Sequence, residues 1–125
     1  MLFDTDVLIW VLRGSKRAAL RVEAATERSL SVISYMELLQ GARNRTELTG
    51  IKSLLTDTGF EMVPLSENIG HRASIYVEEY GLKGAMCMAD ALIAATAVEH
   101  QLVLCTANRK HYRLVRELEI SAFSA

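Results

Sequence analysis

Apolar and polar positions follow two different periods along this chain, and the changes between them mark its elements. Met1-Leu2-Phe3 is a short apolar run closed by Asp4 and reads as a buried strand; Thr5 to Leu12, with Val7, Leu8, Trp10 and Val11 on its apolar side, reads as a helix broken at Gly14 and Ser15. A helix is predicted from Lys16 to Glu27. The run Leu30-Ser31-Val32-Ile33, rich in β-branched residues, predicts a second strand, after which Ser34 has the character of an N-cap for a short helix over Tyr35 to Ala42. Thr46 to Thr58 places Leu48, Ile51, Leu54 and Leu55 on one helical face, and Gly59 ends it. Phe60 to Val63 predicts a third strand, closed by Pro64, and Ser66 opens a helix through about Tyr80. Gly81 and Gly84 mark a loop. Met88 to Gln101 is helical and almost wholly apolar, which predicts a buried, central helix. Leu102 to Cys105 predicts a fourth strand, followed by a short helix around Lys110 to Arg116 and a small edge strand near Leu118 to Ile120.

Strands alternating with helices imply right-handed crossovers and an α/β fold, with a short, mainly parallel sheet sandwiched between helical layers. The length, 125 residues, suits one compact domain over 1–125. Half of the residues are hydrophobic and 23% are charged, an ordinary globular composition that excludes extensive disorder. Cys87 and Cys105 lack a CxxC spacing and sit in apolar stretches, so both are expected as buried thiols. The N-terminus lacks the form of a signal peptide, and no stretch approaches the roughly 18 apolar residues of a membrane span. The expected location is the cytoplasm, with no membrane contact. A formal charge of −1 leaves any nucleic-acid contact to a local patch.

Ligands of open parallel sheets bind beyond the carboxyl ends of the strands. Asp4 ends the first strand, Glu37 lies one turn into the helix after the second, and Asp90 lies in the first turn of the apolar helix before the fourth. Thr106 and Asn108, just past the fourth strand, reach the same edge. Gathering carboxylates costs several kcal/mol in repulsion and desolvation unless a cation neutralises them. Oxygen-only ligands favour Mg²⁺ or Mn²⁺ over zinc. Such an ion acidifies bound water and stabilises a phosphoryl transition state, so phosphodiester hydrolysis follows, with Asp4, Glu37 and Asp90 as catalytic and metal-holding residues. Each acid also has a purely structural explanation. Asp4 or Asp6 can cap the first helix, Ser34-Tyr35-Met36-Glu37 fits a capping box, and Asp90 complements a helix dipole. Apolar neighbours nevertheless predict that Glu37 and Asp90 are partly buried, with no lysine or arginine beside them in sequence.

Asp4-Thr5-Asp6-Val7-Leu8-Ile9 resembles the DTNVLI opening of PIN domains. Ser34-Tyr35-Met36-Glu37-Leu38-Leu39-Gln40-Gly41 resembles their second acidic motif, and Ala89-Asp90-Ala91-Leu92-Ile93-Ala94-Ala95-Thr96-Ala97 their third. The likeness runs over essentially the whole chain and is nearest to the VapC-type toxins of prokaryotic toxin–antitoxin pairs. The resemblance implies a PIN-like α/β/α sandwich that cleaves RNA, requires Mg²⁺ or Mn²⁺, forms a homodimer, and is silenced by a VapB-like antitoxin whose tail blocks the acidic pocket. Asp6 stands where that family usually has asparagine. Thr106-Ala107-Asn108-Arg109-Lys110-His111-Tyr112 resembles the family's T-x-N-x-x-[DE]-F stretch, with His111 in place of a fourth acid. One or two metal ions are therefore both open, with His111 a weak ligand, a phosphate contact when protonated, or a bystander. Arg109, Lys110, Arg13, Lys16, Arg43 and Lys83 are candidate RNA phosphate contacts or simply a solvated face. His71 and His100 have no metal-ligand spacing, and Trp10, Tyr76 and Tyr80 are read as core or dimer-contact residues.

Two rival readings stand beside this one. Asp4-Thr5-Asp6-Val7 also resembles the nucleophile loop of haloacid-dehalogenase-like phosphatases, in which Asp4 would be phosphorylated and Asp6 would act as acid. That family needs a downstream lysine and a second acidic pair in a GDxxxD-like context, whereas Asp90 is followed by no further acid until Glu99. The missing fourth acid also fits a non-catalytic PIN-like module that binds RNA or protein.

Overall fold

Every strand in the computed structural model, which describes residues 1–84 and 86–125, is only two or three residues long. The chain runs β1 (Leu2–Phe3), α1 (Thr5–Leu12), α2 (Lys16–Ala24), β2 (Ser29–Ser31), α3 (Val32–Gln40), α4 (Arg45–Asp57) and β3 (Glu61–Val63). It continues with α5 (Glu67–Tyr80), a 3₁₀ turn (Gly81–Lys83), α6 (Met88–Glu99), β4 (Leu104–Thr106), α7 (Arg109–Tyr112) and β5 (Ile120–Ala122). All strand pairs are parallel, in the order β3-β2-β1-β4-β5.

That order reverses direction at β1. With crossovers of one hand, the helices linking β1, β2 and β3 fall on one face of the sheet and those leading to β4 and β5 on the other. The two buried clusters follow this division. Leu2 and Leu104 pack with Ile69, Ala73, Ile93 and Tyr112 on the α5–α6–α7 side. Their strand neighbours Phe3, Leu30 and Cys105 point the opposite way, onto Val7, Leu8 and Leu38 of α1 and α3. Helix α6 is apolar nearly all round because it lies between α5 and the sheet. The result is the expected α/β/α sandwich, and its switch point lies between β1 and β4, where a parallel sheet opens a crevice at its carboxyl edge.

Boundaries differ from the sequence expectation in informative places. Helix α3 begins at Val32, not after Ser34. Ser31 caps it, its Oγ accepting from the Ile33 amide at 3.0 Å, so the β-branched pair Val32-Ile33 starts a helix despite its strand propensity. Ser34 is thus neither an N-cap nor half of a capping box with Glu37; it is buried inside α3. Helix α2 stops at Ala24, short of Glu27, and β4 starts at Leu104, two residues later than expected. α7 is a single turn, because Val115 and Leu118 leave the helix to fill the core, and the edge strand β5 follows at Ile120. Gly14, after α1, has φ +87°, a conformation that favours glycine. Cys105 is buried as expected, but Cys87 is exposed, since it sits in the turn before α6 and not in the core. Among the described residues, no helix is long and apolar enough to cross a membrane.

Candidate active site

The crevice between β1 and β4 is built around Asp4. The Asp4 amide continues the parallel ladder, donating to the Cys105 carbonyl at 2.9 Å, so its carboxyl emerges at the carboxyl edge beside Thr106. Oδ1 accepts from the Thr5 amide at 2.8 Å and caps α1. Oδ2 accepts from Thr106 Oγ1 at 2.7 Å and from the Tyr112 hydroxyl at 3.0 Å. Asp4 thus has the capping role open to it from sequence and is at the same time 94% removed from solvent.

That burial has an electrostatic consequence. Loss of hydration, and then the neighbouring charge of Asp6, push the Asp4 carboxyl from 3.8 up to about 7, while the bonds from Thr106, Tyr112 and Thr5 hold it down. Burial also raises Asp6. Its Oδ2 accepts from the Ala107 amide at 3.1 Å and from Asn108 Nδ2 at 2.8 Å, whereas Oδ1 is buried with no hydrogen-bond partner among the described residues. A buried carboxylate oxygen with no donor is costly unless a cation or water meets it.

Asp90, in the first turn of α6, leaves 19% of its side chain exposed. Its Oδ1 is 3.3 Å from the Tyr112 hydroxyl and its Oδ2 is 3.5 Å from His111 Nδ1. Glu37 is exposed, contrary to the expectation of partial burial, because its turn of α3 faces out while Leu38 turns in. It is still tied to the same edge. Thr5 Oγ1 donates to Glu37 Oε1 at 2.6 Å and lies 2.9 Å from Ser34 Oγ, so α3 is anchored onto the start of α1. Asn108 meets the site through Asp6, and its own amide donates to Thr106 Oγ1 at 3.0 Å.

Among the described residues, His111 is the one basic side chain paired with any of these acids; the arginine ion pairs lie elsewhere, Arg43 with Glu47 and Arg72 with Glu99 and Glu117. Among those residues too, no three His, Cys, Asp or Glu side chains form a ready-made metal cluster. The acids are linked, among the described residues, only through shared partners, Asp4 and Asp90 by the Tyr112 hydroxyl and Glu37 by Thr5, so they line one edge as oxygen donors without forming a closed cage. That suits an ion that keeps several waters and takes one or two carboxylates, as Mg²⁺ does, better than one needing a closed cage of nitrogen or sulfur ligands. Asp4 Oδ1, with one donor, and Asp6 Oδ1, with none among the described residues, keep unused lone pairs, as do the Asp90 and Glu37 carboxylates.

The basic residues divide. Arg13 and Arg43 line one groove of about 840 Å³ together with Glu37, Ile9, Leu38 and Leu54; Arg13 also stacks 5.7 Å from the Trp10 ring centre, and Arg43 is held by Glu47 at 2.8 Å. Arg109 and Lys110 share the α7 turn with His111. Lys16 and Lys83 are exposed, and among the described residues neither pairs with the acids. Four participants were not singled out as site residues from sequence: Thr5, Asp6, Ser34 and Tyr112. Asp6 and Tyr112 lay inside the motifs themselves, as departures in residue type, and that was the available signal. Thr5 and Ser34 gave none, since a hydroxyl in a helix usually serves its own backbone. A phosphorylated-aspartate role for Asp4 finds no support, because its Oδ2 already has two donors and no lysine among the described residues pairs with it.

Comparison with known proteins points one way. The PIN domain family model matches residues 1–117. The chain is 33% identical over 123 residues to Ribonuclease VapC10 of Mycobacterium tuberculosis, covering 95% of this chain and 90% of that protein. A chain of a toxin–antitoxin complex from Klebsiella pneumoniae superposes with a TM-score of 0.81 at 30% identity, covering 97% of this chain and 95% of that one. VapBC2 from Rickettsia felis, in complex with a DNA fragment from its promoter, shares the fold with a TM-score of 0.84 at 16% identity, over 98% of each chain.

Proposed function

The chain belongs to the PIN-domain family, and on that premise we propose that it is a Mg²⁺- or Mn²⁺-dependent endoribonuclease, the toxin of a VapBC-like toxin–antitoxin pair. The observation that carries the metal site is Asp4: a buried carboxyl at the sheet's switch point, pushed to about 7 and given no lysine or arginine partner among the described residues. Asp4, Asp90 and Glu37 would hold the ion. When bound, it supplies an acidified water and a counter-charge for the phosphoryl group.

The remaining work falls to this chain's own side chains. Thr106 and Tyr112 orient Asp4, Thr5 tethers Glu37, and Asn108 secures the β4–α7 connection to Asp6. Arg13 and Arg43, on the groove that reaches Glu37, are placed to meet phosphates of a bound RNA strand, with Arg109 and Lys110 on α7 as further contacts. A VapB-like antitoxin is the silencing partner, and the active form is a homodimer. Purified chain freed of antitoxin should cut total cellular RNA with Mn²⁺, and should lose this with chelator or in Asp90→Asn. Undiminished cutting in both cases would sink the metal-site reading.

One observation favours a second reading, a binding module without catalysis: a histidine, not an acid, faces Asp90 from α7. Saturable Mn²⁺ binding with no cleavage of any RNA would select it.

A further inference from the structure

The Tyr112 ring is fully buried, so its hydroxyl is aimed by packing and has no freedom to search for partners. It lies 3.0 Å from Asp4 Oδ2 and 3.3 Å from Asp90 Oδ1, and thereby links β1, α6 and α7 at one atom. A carboxylate oxygen has two lone-pair positions. On Asp4, Oδ2 has both filled, by Thr106 and Tyr112, while among the described residues Oδ1 meets the Thr5 amide alone.

We propose that the Tyr112 hydroxyl is a positioning group of the acidic site: with Thr106 it saturates Asp4 Oδ2, spaces Asp4 from Asp90, and leaves Asp4 to offer Oδ1 alone to a divalent cation. This rests on the metal-site reading above. A hydroxyl has one proton, so it donates to one acid at a time, and the shorter contact assigns that proton to Asp4. The aromatic ring supplies the packing that phenylalanine would supply at the end of the T-x-N-x-x-[DE]-F stretch; the hydroxyl is what this chain adds. Groups that orient metal ligands from behind typically contribute 10–100-fold in metal affinity.

The test is Tyr112→Phe, which keeps the ring and removes the one oxygen. Mn²⁺ binding is followed by calorimetry and metal-free folding by thermal melting, on full-length wild type and variant. The expected result is a cooperative melt in both, with the Mn²⁺ Kd of the variant raised about tenfold or more. Wild type that binds, with Tyr112→Phe binding within twofold of it, overturns this inference and leaves the metal site standing. A variant that no longer folds makes the hydroxyl a requirement of the core and overturns it equally. Wild type that fails to bind Mn²⁺ removes the metal-site reading and this inference together.

Discussion

At the scale of single residues, the site is held in a costly electrostatic state. Asp4 ionises near 3.8 when the chain is unfolded and at about 7 in the fold, because burial and then Asp6 disfavour its charge. Between those values the folded chain holds a proton that the unfolded chain has released. Stability of the metal-free protein therefore falls as pH rises from about 4 through about 7, by on the order of 4 kcal/mol from this group. Urea midpoints at about pH 5.5 and pH 8 check this: the alkaline value should be the lower, and Asp4→Asn should remove most of the difference. An equal pH dependence in Asp4→Asn would show that another group is responsible. Asp6→Asn removes the neighbouring charge, so the Asp4 carboxyl should titrate at lower pH, which carbon NMR of labelled aspartate reads directly; no movement would contradict the coupling. Asp4 and Asp90 were legible in the sequence because a charged residue at a strand end, or among apolar helix neighbours, breaks the local pattern. Tyr112 was less so: it stands in the basic run Arg109-Lys110-His111-Tyr112-Arg113, where only its difference in residue type from the motif marked it, and its role appears when α7 sets its hydroxyl between two acids from other elements.

At the scale of elements, the position of α3 decides whether Glu37 belongs to the site. Ser31 both ends β2 and caps α3, and Ser34 and Thr5 then lock the helix to α1. Ser31→Ala should cost about 1 kcal/mol of stability through loss of the cap, read as a lower urea midpoint. An unchanged midpoint would mean the cap contributes nothing measurable. The longer helices were legible in periodicity: α1, α4, α5 and α6 lie within two residues of the positions their apolar spacing implies. The boundary between the second strand and third helix was not, because Val32 and Ile33 have strand propensity while the Ser31 side chain, bonding to the Ile33 amide, caps a helix that begins there. The tail after β4 was obscured for a related reason. Val115 and Leu118 look like helix or strand residues but are buried from irregular backbone.

At the scale of the molecule, strand order does the assembling. The βα alternation was readable from the chain, and with it a parallel sheet between helical layers; the order β3-β2-β1-β4-β5 was not, since nothing local says that β4 returns to pair with β1. That return brings Thr106 to Asp4 across the chain, and Asp90 follows because α6 leads into β4. With a near-neutral overall charge, the proposed attraction for RNA rests on a local basic patch. Arg13→Gln should therefore weaken RNA binding and flatten its salt dependence by about one phosphate contact, with Mn²⁺ affinity unchanged. A salt slope equal to that of wild type would place Arg13 outside the RNA path. The central claim is that Asp4 and Asp90 exist in this crevice to hold a divalent cation, and calorimetric titration of Mn²⁺ into wild type and Asp90→Asn tests it most directly. Saturable binding to wild type that is lost in the folded variant is the expected result. Indistinguishable titrations of the two proteins would contradict it.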